Sequence, residues 1–225
     1  MERRTSLIGV YGGTFDPIHL GHIHLLTSLL NTGEFKKILV VPAKQNPLKA
    51  TPSLISDTMR LHLLEASIKE LNNPNIEIWD GELKRSGASY TEETLLELTQ
   101  QKWGDLVLIL GNEVFETFSK WKNPNRILSL ANIAIVKRNN SLIDMNGMLK
   151  TCGIVDGISS ENRVLHSQNS RWIKTFKINA LPFSSTKIRT HLIKAYKKQY
   201  LDPPPSGIQR SVWLLIKENQ LYAVK

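Results

Sequence analysis

The stretch that most constrains the fold is Val10-Tyr11-Gly12-Gly13-Thr14-Phe15-Asp16-Pro17-Ile18-His19-Leu20-Gly21-His22, where an apolar run ends in paired glycines and leads into two histidines three residues apart. The run from Leu7 to Tyr11 has the length and apolar content of a buried strand. Gly12 and Gly13 then allow a tight turn with no Cβ in the way of a ligand, a place where a phosphate can sit. Pro17 has the fixed φ of a helix start, and Ile18, Leu25, Leu26 and Leu29 recur at helical spacing. His19 and His22 are therefore expected on the first turns of a helix, where unpaired N–H groups and the positive dipole end attract anions.

The chain continues as alternating apolar runs and helical patterns. Lys37–Pro42 reads as a second strand, and its helical connection makes the pair parallel with a right-handed crossover. Ser56 or Asp57 is expected to cap a helix through Met59, Leu63, Leu64, Ala66 and Ile68, followed by a strand over Asn75–Trp79 and a polar loop over Asp80–Tyr90. Thr91 is the expected N-cap of the next helix, with Glu92 and Glu93 near its dipole. Asp105–Gly111 and Ala131–Val136 are two more short apolar runs, and Ile173–Ile178 reads as the last strand. Ser184-Ser185-Thr186 opens a helix, Pro203-Pro204-Pro205 breaks the chain, and a closing helix crosses Val212–Ile216. This alternation predicts an α/β fold, a doubly wound parallel sheet of Rossmann-like type, in which ligands bind at the carboxyl ends of the strands. One domain over 1–225 is expected, with a variable insertion at about 138–172 and a C-terminal helical part at about 184–225.

With 225 residues and 41% hydrophobic content, the chain has enough apolar side chains for a sizeable core. No run approaches the roughly 18–20 apolar residues of a membrane span, and the polar start leads straight into the first strand, so a cytoplasmic protein is expected. The one cysteine, Cys152, fits a reducing compartment and reads as buried and inert. A net charge of +9 suits either a nucleic-acid surface or a pocket for phosphorylated substrates. The lysines are spread along the chain with no block of five basic residues, which argues against nucleic acid.

Three groups carry the candidate chemistry. Thr14, His19 and His22 offer hydroxyl and imidazole donors where charge would develop on a phosphate, and no nucleophilic side chain is needed if a second substrate supplies the attacking oxygen. Ser184, Ser185, Thr186 and Arg189 place hydroxyls and a guanidinium at a helix start, suited to a polyphosphate. Ser89, Tyr90 and Thr91 lead into a helix start suited to a carboxylate, and the Trp121 indole can stack on a flat ring. Each has a plain structural alternative: histidines at a helix start as caps, Ser184 as an N-cap, Thr91 likewise, and Trp121 as a core aromatic. No metal-type ligand spacing surrounds the histidines, so no protein metal site is expected.

At the first motif the chain resembles the nucleotidylyltransferase superfamily, whose H-x-G-H signature follows a G-T-F-D-P turn. Further segments resemble bacterial nicotinate-nucleotide adenylyltransferases: Glu82-Leu83-Lys84-Arg85 with Ser89-Tyr90-Thr91, Leu110-Gly111-Asn112-Glu113 to Trp121, and Ser184-Ser185-Thr186-x-Ile188-Arg189. The resemblance implies an enzyme joining ATP and nicotinate mononucleotide to give deamido-NAD and pyrophosphate, with Mg2+ carried by the ATP phosphates. It implies that His19 and His22 act on the α-phosphate, and that Gly12, Gly13, Thr14, Phe15, Lys49, Ser184, Ser185, Thr186 and Arg189 bind ATP. Ser89, Tyr90, Thr91, Glu113 and Trp121 would bind the mononucleotide, with Thr91 on the carboxylate and Trp121 on the ring.

Two positions depart from the family pattern. Glu113 stands where an aspartate is usual, and Asn46-Pro47-Leu48-Lys49 stands where Pro-Pro-His-Lys is usual, with Lys44 as a candidate substitute for the missing histidine. Phosphopantetheine adenylyltransferases and cytidylyltransferases share the first motif. Outside enzymes, the alternative is a basic nucleic-acid-binding or regulatory protein on the same fold.

Overall fold

The computed structural model describes residues 7–45, 47, 52–137, 163–165, 171–197 and 203–223. In chain order the elements are β1 (Leu7–Gly13), α1 (Leu20–Asn31), β2 (Lys37–Pro42), α2 (Asp57–Leu71), β3 (Ile76–Ile78), α3 (Gly81–Lys84) and α4 (Thr91–Gln100). They continue as β4 (Asp105–Gly111), α5 (Asn112–Phe115), a 3-10 turn (Phe118–Lys120), α6 (Pro124–Leu130), β5 (Asn132–Lys137), β6 (Arg163–Leu165), β7 (Trp172–Lys177), α7 (Ser185–Lys197) and α8 (Arg210–Glu218). The sheet runs β3-β2-β1-β4-β5-β7-β6, and six of its strands are parallel. The order reverses direction at β1, the topological position where open α/β sheets bind ligands at the strand's carboxyl end. Among the described residues, no helix is long and apolar enough to cross a membrane.

Two compact units share the chain: Met1–Tyr11, Ser28–Leu39 and Ser89–Asn179 form one, and Gly12–Thr27, Val40–Ala88 and Ala180–Lys225 the other. The first is built on parallel pairing. Leu7 lies opposite Asp105 and Val10 opposite Leu108, and β4 continues the ladder to β5 with Val107 opposite Asn132. Their apolar runs are buried throughout, as strands covered on both faces must be. Gly9 sits in the middle of β1 because a Cβ there would lie 2.7 Å from Ile109 Cδ1. The buried Asn132 side chain accepts from the Trp172 N–H at 3.0 Å, fixing where β7 starts. β6, which falls inside the span expected to be a variable insertion, runs antiparallel to β7.

The second unit packs helices around the carboxyl end of β1. Ser56 caps α2 by accepting from Met59 N at 3.2 Å, and Asn72 closes it in the left-handed region at φ 50°. The buried face of α2 is Arg60, Leu63, Leu64 and Ser67, whereas the expected Met59, Ala66 and Ile68 are only half-buried. Ser67 donates to the Gln209 side chain, and Ser211 donates through N–H to Glu70 at 2.8 Å and through its hydroxyl to Ala66 O at 3.2 Å. These bonds fasten α8 along α2. The expected polar loop after β3 contains α3, with Lys84 paired to Asp80 at 2.7 Å one turn back. Lys49, Leu48, Cys152 and most of the expected insertion lie outside the described residues.

Candidate active site

β1 ends in Gly12 and Gly13, and neither glycine takes a positive φ, so the expected tight glycine turn is not what they provide. What they provide is room. A Cβ on Gly12 would point into open space, while one on Gly13 would meet Phe15 Cζ at 2.8 Å. The chain reverses one step later, where buried Phe15 takes φ 49° and Asp16-Pro17 is cis. Pro17 does not open the helix: α1 begins at Leu20, with His19 just ahead of it and His22 in its first turn.

The two imidazoles stack, their centroids 3.7 Å apart and their planes 24° apart, with the Phe15 ring edge-on to His22 at 5.1 Å. His19 is buried and His22 half-buried. His22 Nδ1 accepts the His19 backbone N–H at 3.2 Å, and His19 Nδ1 accepts that of Gly21 at 3.1 Å. A backbone N–H is always the donor, so both Nδ1 atoms are acceptors and each neutral ring carries its proton on Nε2. Gly21 is part of this arrangement, because a Cβ there would sit 3.0 Å from His19 Nδ1 and Cε1.

Donors from several elements hold the turn between the glycines and the histidines. Gly13 O accepts from Ala43 N at 2.9 Å, Thr14 O from Arg60 Nη1 at 2.5 Å, Asp16 O from Arg189 Nη1 at 2.6 Å and Pro17 O from the Ser185 hydroxyl at 2.9 Å. The Asp16 carboxylate, itself 5% exposed, accepts from the Tyr222 hydroxyl at 2.7 Å and from Leu54 N at 2.9 Å. Burial first, and then the Asp16 charge and hydrogen bond, push the Tyr222 phenol well above its ordinary pKa.

The second candidate group thus meets the first through the backbone of the turn. Ser184 is the N-cap of α7, accepting from Lys187 N at 3.3 Å, as the plain structural reading has it. Arg189 reaches the turn with Nη1 and Thr186 Oγ1 with Nη2 at 3.3 Å, while Thr186 is exposed. Lys44 donates to Arg85 O at 2.6 Å, so its ammonium ties the loop after β2 to the end of α3.

The third group lies in the first unit. Tyr90 is the cap residue of α4 and Thr91 its first helical residue, and no side chain caps the helix, which corrects the expected Thr91 cap. Lys122 Nζ stands 4.1 Å from the Tyr90 ring centroid and pairs with Glu93 at 2.9 Å, while Asn123 donates to Glu92 at 2.7 Å. These contacts bring the segment carrying Trp121 to the start of α4. Trp121 is half-buried, its Nε1–H donating to Thr117 Oγ1 at 3.3 Å and its ring 5.5 Å from that of Phe118. Ser89 and Tyr90 are half-buried, and Glu113 is exposed on α5.

Sequence reasoning missed Arg60, Asp16 and Tyr222. Arg60 had a signal: it occupies the buried stripe with Leu63, Leu64 and Ser67, where a charge needs a specific partner. Tyr222 had none, since 206 positions separate it from Asp16.

A parallel sheet reversing at a strand that ends in a glycine pair, followed by two stacked imidazoles, defines a nucleotidylyltransferase-type protein. The cytidylyltransferase-like family model matches residues 10–191, and the chain belongs to that family. The probable nicotinate-nucleotide adenylyltransferase of Leptospira interrogans is 32% identical over 221 residues, covering 96% of this chain and 97% of that one. That of Aquifex aeolicus is 37% identical over 142 residues, 63% of this chain and 83% of the relative. Within the family, the chain groups with the nicotinate-nucleotide adenylyltransferases. Its fold is also that of a Plasmodium falciparum nicotinic acid mononucleotide adenylyltransferase complexed with NaAD, at TM-score 0.66 and 20% identity over 96% of this chain and 97% of that one.

Proposed function

We propose that this chain is an adenylyltransferase of NAD biosynthesis, joining nicotinate mononucleotide to ATP with release of pyrophosphate. A phosphate oxygen of the mononucleotide attacks the α-phosphorus of ATP in line. One P–O bond forms as the bond to the β-phosphate oxygen breaks, and the electron pair leaves with pyrophosphate. No covalent enzyme intermediate is required, so the protein's task is positioning and charge stabilisation.

The observation that supports this most strongly is the His19–His22 pair, whose Nδ1 atoms are both occupied by backbone N–H groups. Each ring is thereby oriented as an Nε2–H donor, suited to the negative charge that grows on the α-phosphate. In this reading Gly12, Gly13, Thr14 and Phe15 shape the α-phosphate contact. Ser184, Ser185, Thr186 and Arg189, with Lys49, attend to the phosphate tail. Ser89, Tyr90 and Thr91 receive the nicotinate carboxylate, Trp121 stacks on its ring, and Glu113 takes a ribose hydroxyl.

With both Nδ1 atoms accepting backbone N–H groups, the imidazoles offer Nε2–H donors, which fit an anion better than a hard cation. Magnesium carried by the ATP phosphates would supply screening of the phosphate charge. The use of ATP supports a cytoplasmic enzyme.

The test is pyrophosphate release from ATP with nicotinate mononucleotide, nicotinamide mononucleotide or phosphopantetheine as acceptor, with CTP replacing ATP in a parallel series. Release with ATP and nicotinate mononucleotide, well above the other combinations, is expected. Preference for phosphopantetheine or for CTP would overturn the assignment. No release with any acceptor, together with salt-sensitive binding to DNA or RNA, would favour the binding-protein alternative.

A further inference from the structure

We propose that Tyr222 is a positioning residue for this reaction, holding the His19–His22 turn in place through the carboxylate of Asp16. The proposal rests on the adenylyl-transfer reading above. Asp16 is buried beside the turn, and its two carboxylate oxygens have separate donors, the Tyr222 hydroxyl on Oδ1 and Leu54 N on Oδ2. The backbone of the same residue accepts from Arg189, and that of Pro17 from Ser185. Asp16 therefore joins the turn, the loop after β2, α7 and the segment after α8 at one point, three residues ahead of His19.

Tyr222 is itself held in an uncommon backbone state. Its φ is 68°, two residues after Gln220 at 49°, in a region that bulky side chains rarely occupy. Strain of this kind persists where the surroundings fix it and points toward a functional constraint. The charged groups facing the phenol are Asp16, Arg189 and Arg60. Burial and the Asp16 charge hold the phenol protonated through the neutral range, so it acts as a constant donor.

Removal of the hydroxyl takes the donor from Asp16 Oδ1 and leaves the Leu54 N–H on Oδ2. An under-paired buried carboxylate draws neighbouring cations toward itself. Arg60 and Arg189, cations that face the same phenol, hold the carbonyls of Thr14 and Asp16. Their movement releases the turn on both sides of Phe15, displacing the imidazoles from the line of attack.

The experiment compares wild type, Tyr222→Phe and Tyr196→Phe. Tyr196 serves as the purely structural comparison, since its hydroxyl donates to Ile216 O at 3.2 Å and touches none of the turn. One lost hydroxyl removes only a fraction of a domain's stability, so both variants are expected to fold. Tyr222→Phe should lower kcat of pyrophosphate release about tenfold, the scale of a small misplacement, with KM for the mononucleotide within about twofold. Tyr196→Phe should keep the wild-type kcat and lose only Tm. A second readout is independent of turnover: the His19 and His22 imidazole resonances should shift in Tyr222→Phe and not in Tyr196→Phe. Wild-type kcat and unshifted imidazoles in Tyr222→Phe would overturn the proposal, as would a variant that does not fold at 25 °C, since Tyr222 would then be structural. Wild-type protein inactive with every acceptor would refute the assigned reaction, and the imidazole comparison would still decide the role of Tyr222.

Discussion

Arg60 Nη1 donates to the carbonyl of Thr14 at 2.5 Å, placing a fully buried guanidinium from α2 directly behind the residue that follows the glycine pair. Nη2 of the same side chain pairs with Asp57 at 2.7 Å, a partner whose side chain is 39% exposed. Breaking a buried pair costs about 3–5 kcal/mol, and partial exposure of Asp57 puts this one near about 3 kcal/mol. Arg60→Met should therefore lower Tm by roughly 6–12 °C in a chain of this size. Arg60→Lys keeps the charge but loses the two-pronged geometry, so it should recover much of the Tm while KM for ATP rises about tenfold. Thermal unfolding and initial rates at varied ATP separate the two effects. An unchanged KM in the lysine variant would show that Arg60 only stabilises α2.

Trp121 is half-buried against Phe118, which leaves part of its indole for a ligand. Aromatic stacking is worth about 0.5–1.5 kcal/mol. Trp121→Ala should raise KM for nicotinate mononucleotide by roughly 2–12-fold through lost stacking. Trp121→Phe should fall in between, and KM for ATP should not change. Equal rises in both KM values would assign Trp121 to packing instead.

The Tyr222 phenol also predicts a pH dependence of stability. Its folded pKa is raised above the ordinary value of 10.0, so the folded state keeps the proton more tightly than the unfolded chain. The contribution is fully present below about pH 10, and it is lost as pH rises further, because unfolding then releases a proton. Wild-type stability should fall between about pH 10 and pH 11 more steeply than that of Tyr222→Phe. Parallel slopes in denaturant titrations at those pH values would contradict the burial of an intact phenol against Asp16.

The sequence made the sheet legible because strands buried on both faces leave short apolar runs that no other element needs, as at Leu7–Tyr11 and Asp105–Gly111. It also located the histidines, since the glycines and His19 to His22 are local in the chain. What it could not show was how the turn is held. Asp16 meets Tyr222 and Arg189 across distances with no periodic signature, and Arg60 sits on the buried face of α2 where apolar residues are expected. Proline suits the first position of a helix, yet α1 starts three residues after Pro17, at Leu20. Ser184 and Ser185 stand at the expected helix start, where their hydroxyls serve the α7 cap and the Pro17 carbonyl.

Everything proposed for the reaction turns on the two stacked imidazoles, and His22 is the more exposed of them. The direct measurement is kcat for pyrophosphate release from ATP and nicotinate mononucleotide by His22→Ala, with Tm recorded on the same preparation. Loss of one charge-stabilising donor should lower kcat by about 10²–10³ with the fold retained. A folded His22→Ala with wild-type turnover would contradict phosphate chemistry at this pair.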